Sequence, residues 1–152
     1  MSYSEWGTIT WKFFHTFAEK INESKFSEYK EPIINIILEI CDNLPCPICK
    51  GDAAEILKYA YIKNIKTKKH LIEFLRQFHN IVNIKLGKKN FSIEEVNNMY
   101  KNNNLQEVLN NFLQIYRKRT FNLKLLNNTQ YKIAFLNSLL IKIKIIRPAI
   151  NP

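Results

Sequence analysis

Cysteine, glycine and long apolar runs are all scarce in this chain of 152 residues. Three cysteines are too few for a secreted disulfide framework, and a chain of this length can bury a core without one. Three glycines and five prolines exclude collagen-like and low-complexity sequences. No run of about 18 uncharged apolar residues occurs, and the start lacks the regions of a signal peptide. The sequence predicts one globular domain with an appendage, without a membrane span.

Acidic residues are scarce in the last third of the chain. Residues 1–100 carry 14 Lys/Arg against 12 Asp/Glu, whereas residues 101–152 carry nine cations against one acid, Glu107. The formal charge of +10 therefore comes mostly from the C-terminal segment. This shift predicts a boundary near residue 100, followed by a basic extension over 101–152. The extension could neutralise phosphates, but its cations are scattered and few aromatic residues lie among them, which does not favour nucleic acid as a partner.

Apolar residues recur every three or four positions, which predicts helices throughout and no strands. The first four helices are expected over residues 6–21, 31–44 (with Pro32 in the first turn), 46–62 and 68–87. A short fifth helix should begin with the capping box Ser92-Ile93-Glu94-Glu95. The predicted fold is all-α: a four-helix bundle with a short fifth helix and a C-terminal helical extension. Helices over 105–116 and 130–146 form that extension, and the apolar stripe of the former should pack onto the bundle or across a dimer.

The segment Cys46-Pro47-Ile48-Cys49 opens the third predicted helix. On the first turn of a helix the two sulfurs are close enough for a disulfide, and the helix dipole favours a thiolate at the first. A reversible redox pair is the favoured interpretation, with half of a zinc site or two inert cysteines as alternatives. The spacing of His70 and His79 fits a zinc site poorly. Cys41, in an isoleucine-rich stretch, is interpreted as a small buried hydrophobic residue.

Two polar and aromatic segments could bind a flat or phosphorylated ligand. On the fourth helix, His79 and Asn83 share a face near Asn80, and lysines gather at the helix end. Taken alone, this pattern favours a polar, solvated helix end over a cofactor site. On the first helix, Trp11 and His15 form an i, i+4 pair away from the main apolar stripe. That pair fits either a stacking surface for a ligand or packing against a neighbouring helix.

Three motifs occur in a fixed order along the chain: W-G-x-x-x-W-x-x-x-H over residues 6–15, L-P-C-P-x-C over 44–49, and H-N-x-V-N-x-K-L-G-K over 79–88. Their succession resembles the Erv/ALR family of FAD-linked sulfhydryl oxidases over about residues 3–100. The compact core and the C-P-x-C motif are most similar to the branch found in large DNA viruses. The basic extension matches nothing in the family core.

The resemblance implies an FAD-dependent enzyme that oxidises protein dithiols to disulfides and passes the electrons to O2, giving H2O2. It implies that Cys46 and Cys49 form the redox pair and that no metal is bound. Substrate should attack Cys46, at the edge of the helix, while Cys49, one turn further in, should reduce the flavin. The implied FAD contacts are Gly7, Trp11, His15, Cys49, His79, Asn80, Val82, Asn83, Lys85, Leu86, Lys88 and Phe91.

The chain lacks the second, shuttle cysteine pair of many cellular family members. Substrate is therefore expected to reach Cys46 directly, and the expected donor is a dithiol protein of the thioredoxin-like kind. The family habit implies a homodimer, held here by packing. With no signal peptide, the expected location is the cytoplasm, or the host cytoplasm or virion if the chain is viral. The alternative is a basic helical module, zinc-stabilised or not, that binds nucleic acid or protein without enzyme activity.

Overall fold

The structure of the protein, a computed structural model, describes residues 3–118 and 126–151. These ranges contain the helices α1 (Tyr3–Lys20), α2 (Glu23–Asp42), α3 (Pro47–Tyr59), α4 (Lys68–Lys85), α5 (Ile93–Tyr100), α6 (Leu105–Lys118) and α7 (Leu126–Ile146). Short 3-10 helices lie at Ile62–Asn64 and Arg147–Ala149, and one isolated bridge joins Ile21 to Ile150. The all-α prediction is confirmed. No helix within the described ranges is long and apolar enough to cross a membrane.

Local sequence signals set several helix ends as expected. The Thr67 side chain accepts a hydrogen bond from the backbone N–H of His70 at the start of α4. Ser92 and Glu95 form the predicted capping box at the start of α5. Gly87 follows α4 with a φ of +70°, a conformation that glycine adopts without a steric penalty. These ends depend on neighbours in sequence, which explains why the sequence predicts them.

The start of α2 was predicted wrongly. The helix begins at Glu23, where the Asn22 side chain caps it by accepting from the N–H of Ser24. Pro32 therefore lies inside the helix, although a proline there removes one backbone hydrogen bond. Phe26 in the unpredicted part is 1% exposed. Tertiary burial of this early segment, together with the cap, outweighs the local cost of the proline.

Helices α6 and α7 belong to the same hydrophobic core as α1, α2 and α4. Helix α6 packs along α1, and α7 packs along α2. The ring of Phe112 is fully buried, with its centroid 5.3 Å from that of Phe13 and 4.1 Å from that of Tyr116. The predicted packing of the α6 apolar stripe onto the bundle is therefore confirmed.

Candidate functional site

Cys46 and Cys49 lie at the N-terminus of α3, as the C-x-x-C spacing predicts. Cys46 is the N-cap, and its Sγ accepts a hydrogen bond of 3.2 Å from the backbone N–H of Cys49. Pro47 occupies the first turn, where its missing N–H costs nothing. Both thiols are free and partly exposed. Burial and the neighbouring Cys46 raise the pKa of the Cys49 thiol to about 12, so a free Cys49 holds its proton at neutral pH.

Cys49 faces a cleft between α1, α3 and α4 that also reaches the end of α2. Its walls are mainly apolar and aromatic, and Lys85 forms an ion pair of 3.5 Å with Asp52 beside it. Cys46 is not among the residues that line it. The lining residues are Trp6, Gly7, Thr10, Trp11, Phe14, Cys41, Leu44, Cys49, Asp52, Ala53, Phe78, Val82, Lys85 and Leu86.

A stack of rings continues from the cleft into the space between α1, α4 and α5. Trp11 lies parallel to His79, with ring centroids 4.2 Å apart. The Nε2 of His15 is 2.9 Å from the Nδ1 of His79, and the ring of Tyr100 stacks on His15 with centroids 4.6 Å apart. Burial lowers the pKa of His15 to about 3, helped by His79, and burial lowers that of His79 to about 4. Both imidazoles are therefore neutral near pH 7.

The end of α4 holds the following loop through its asparagines. The Asn80 side chain donates to the carbonyl of Phe91 and accepts from its N–H, at 2.9 and 2.8 Å. The Asn83 side chain donates to the carbonyl of Lys89, and the Asn83 carbonyl accepts from the N–H of Lys88. His79, Asn80 and Asn83 are all buried. The expectation of a solvated helix end therefore holds for residues 84–90, which are exposed and include the lysines, but not for His79, Asn80 and Asn83.

The structure brings most of the sequence-implied residues into one region. Gly7, Trp11, Cys49, Val82, Lys85 and Leu86 line the cleft, while His15 and His79 form the adjoining ring stack. Asn80 and Asn83, near the end of α4, hold the following loop, which contains Phe91 and the exposed Lys88.

Several contributors were missed by sequence reasoning. Asp52 follows Cys49 by three residues and Phe78 precedes Val82 by four, so helical spacing could have placed both. Tyr100 carries no such local signal, because its position against His15 depends on how α5 packs. Cys41 is 3% exposed, which agrees with its interpretation as a buried hydrophobic residue, but it also lines the cleft. Across the described ranges, no cluster of three or more His, Cys, Asp or Glu side chains could hold a metal ion.

Comparison with known proteins identifies the family. A family model described as "Erv1 / Alr family" matches residues 8–101, which is more than half of the chain. The chain belongs to the Erv1/Alr family. The match runs from α1 to the end of α5, so α6 and α7 follow the segment on which membership in the Erv1/Alr family rests.

Relatives of this Erv1/Alr member occur among viral proteins. It is 32% identical over 108 residues to a protein named "FAD-linked sulfhydryl oxidase" of African swine fever virus, isolate Tick/Malawi/Lil 20-1/1983, covering 69% of this chain and 84% of that one. It is 27% identical over 97 residues to "Putative FAD-linked sulfhydryl oxidase 096R" of Invertebrate iridescent virus 3, covering 63% and 66%. No solved structure matches the chain.

The buried imidazoles make stability depend on pH. Because their folded-state pKa values lie below the unfolded value, the unfolded chain binds more protons, so the free energy of unfolding falls as pH falls from 6.5 towards about 4. Each ring contributes a slope of up to ~1.4 kcal/mol per pH unit. His15→Phe, which keeps a ring in the stack, should reduce the slope by about one such contribution in urea titrations at pH 7, 6 and 5. Equal slopes in both proteins would show that His15 takes up its proton equally readily in the folded and unfolded chains.

Proposed function

We propose that this protein is an FAD-linked sulfhydryl oxidase that oxidises dithiols to disulfides and delivers the electrons to O2. The observation that carries the proposal is the position of Cys49, which opens α3 and faces the aromatic cleft between α1 and α4. A two-electron thiol reaction needs a second sulfur within reach of the first, and Cys46 lies one turn away on the outer edge. The names of the viral relatives support the same activity.

The side chains of the cleft have the chemistry that FAD binding needs, and the cleft, with a volume of about 80 Å³, has to widen to admit the cofactor. Trp6, Phe14 and Phe78 offer flat apolar walls of the kind that a ring system requires. Within the described chain, the Nδ1 of His15 is buried without a hydrogen-bond partner, so a polar group of a bound ligand would satisfy it. Lys85, the last residue of α4, borders the cleft, and the exposed Lys88 follows three residues later.

Individual FAD contacts are proposed on this basis. The stacking rings Trp11, His15 and His79 would hold planar parts of the cofactor, and the lysines would offset the pyrophosphate charge. The remaining proposed contacts are Gly7, Cys49, Asn80, Val82, Asn83, Leu86 and Phe91. When bound, FAD would supply the electron acceptor that restores the cysteine disulfide and passes the pair to O2, giving H2O2.

The two cysteines have different proposed roles. A substrate thiolate attacks Sγ of Cys46 in the oxidised pair, which breaks the Cys46–Cys49 bond and forms a mixed disulfide. The second substrate thiol then displaces Cys46, so the substrate leaves as a disulfide and the pair keeps two electrons and two protons. Cys49, which lines the cleft, passes electrons onward. Its raised pKa means that it must lose a proton as it does so.

Other parts of the proposal concern organisation and partners. We propose that residues 1–100 form the FAD domain, and that 101–152 is a basic extension that completes its core. The substrate is a protein dithiol of the thioredoxin-like kind, and the working form is a homodimer. Because the named relatives are viral, we place its action in the cytoplasm of an infected cell or in the virion.

The purified protein provides the test. We expect a yellow protein with about one FAD per chain that consumes O2 and releases H2O2 when dithiothreitol is added. The measurements are the flavin absorption spectrum, the oxygen electrode trace and the thiol count. A colourless protein that takes up no FAD on refolding with the cofactor would contradict the proposal and favour a binding module.

A further inference from the structure

A second groove lies beside the cleft, between the C-terminal half of α3, the 3-10 helix at Ile62–Asn64, and α4. It has a volume of about 540 Å³. Its walls are mostly apolar, and its polar lining residues are Glu55, Asn64, His70, Glu73 and Gln77. The apolar and aromatic lining residues are Ile56, Tyr59, Tyr61, Ile65, Phe74, Phe78 and Ile81. We call this surface the α3–α4 groove.

The groove exposes an unusual concentration of large apolar side chains. Tyr59 is 70% exposed, Tyr61 81% and Ile81 40%. Scattered apolar residues on a surface are ordinary, but a contiguous group in a concave site marks a place where another molecule binds.

The groove adjoins the redox cleft, from which the buried ring of Phe78 separates it. Phe78 lines both the groove and the cleft that holds Cys49. Between the two cysteines, Ile48 is 77% exposed, so apolar surface is also present beside Cys46. Tyr59 lies ten residues after Cys49 on α3, a distance of ~15 Å along the helix. A molecule whose sulfur reaches Cys46 can therefore cover the groove at the same time.

We propose that the α3–α4 groove docks the protein substrate through an apolar segment next to its reacting cysteine. The proposal rests on the sulfhydryl oxidase function proposed above. An extended chain covers ~15 Å in four to five residues, so the apolar residue lies at about that separation from the cysteine.

Position beside the redox pair favours this partner over a second copy of the chain. The charged side chains that line the groove are Glu55 and Glu73, whereas the exposed Lys58, Lys63 and Lys69 lie outside its lining, so charge at the groove is mixed. A substrate has to bring a sulfur to Cys46, next to the exposed Ile48, and can bury the adjoining groove in the same approach, whereas a second copy has no such requirement.

Two reduced peptides test the proposal on the holoprotein. Both contain a Cys-x-x-Cys pair; one has Leu-Trp about five residues after the pair, and the other has Ser-Gly. We expect kcat/KM to be about tenfold higher for the Leu-Trp peptide, since it buries an apolar side chain. Tyr59→Glu and Ile81→Glu should remove this preference and leave dithiothreitol oxidation unchanged. Ile141→Glu on α7, where the isoleucine is 61% exposed, is the matched control and should preserve the preference.

A binding measurement gives a second readout that needs no turnover. Serine-for-cysteine versions of both peptides, labelled for fluorescence anisotropy, should bind with about tenfold different affinity, and the groove variants should abolish the difference. Equal affinities, or a preference that survives both groove variants, would overturn the docking proposal. If the wild-type protein fails to oxidise dithiothreitol, the proposed function fails, and the anisotropy data still decide whether the groove binds apolar segments.

Discussion

Replacing either Cys46 or Cys49 with serine abolishes dithiol oxidation, with a loss of at least ~10³-fold in rate, while FAD stays bound. Each sulfur is needed because the substrate attacks the Cys46–Cys49 disulfide, and that disulfide cannot form when either cysteine is missing. Neither substitution removes a wall of the cleft, since serine is close to cysteine in size. The measurement is oxygen uptake with dithiothreitol, alongside the flavin content of each variant. Retained turnover in either variant would contradict the two-cysteine mechanism.

The same variants distinguish the roles of the two sulfurs. Cys49 lines the cleft and Cys46 does not, so only Cys46→Ser leaves a thiolate able to form a long-wavelength charge-transfer band with oxidised flavin. The pKa of Cys49 is raised first by burial and then by Cys46. Removing Cys46 therefore lowers the pKa of Cys49. In Cys46→Ser the band should develop at a lower pH than the raised pKa of Cys49 in the wild-type protein would require. A band in Cys49→Ser and none in Cys46→Ser would exchange the assignments.

Phe112→Ala in α6 lowers the free energy of unfolding by about 3–5 kcal/mol. Phe112 is fully buried between Phe13 of α1 and Tyr116, so its removal leaves a cavity in the core of the domain. Gln114→Ala, at an exposed position of the same helix, is the control and should change stability by less than ~0.5 kcal/mol. Urea unfolding followed by circular dichroism measures both.

Deletion of residues 101–152 should lower the stability of the domain more than Phe112→Ala does, because it removes all of the core contacts of α6 and α7. Without α6 and α7, the faces of α1 and α2 that pack against them become exposed to water. We expect aggregation or a strongly reduced melting temperature. A truncated protein with the wild-type melting temperature and the wild-type mass in light scattering would show that the extension contributes nothing to the core.

The sequence predicts those parts of the fold that depend on local chemistry. Thr67 and Ser92 cap their helices with their own side chains, and at the start of α3 Cys46 is the N-cap and Pro47 fits the first turn. The start of α2 could not be predicted in this way, because burial of Phe26 against other helices outweighs the presence of Pro32.

In the candidate site, too, local features could be predicted from the sequence and tertiary contacts could not. The i, i+4 spacing of Trp11 and His15 is visible in the sequence, and so is the cysteine spacing. The burial of His79 is not, since it requires α1 to place Trp11 and His15 against α4. Helical periodicity could not show that these distant segments form one site. The order of the three motifs along the chain predicted it, through the resemblance to a known family.

Anaerobic titration of the purified holoprotein with dithiothreitol tests the central claim most directly. We expect the flavin absorbance to bleach completely after about two equivalents of dithiol per chain, because the Cys46–Cys49 disulfide and FAD each accept one electron pair. Admission of air should restore the yellow spectrum and produce H2O2. A flavin that dithiothreitol leaves oxidised, although a strong chemical reductant bleaches it, would contradict a path from thiol to cofactor.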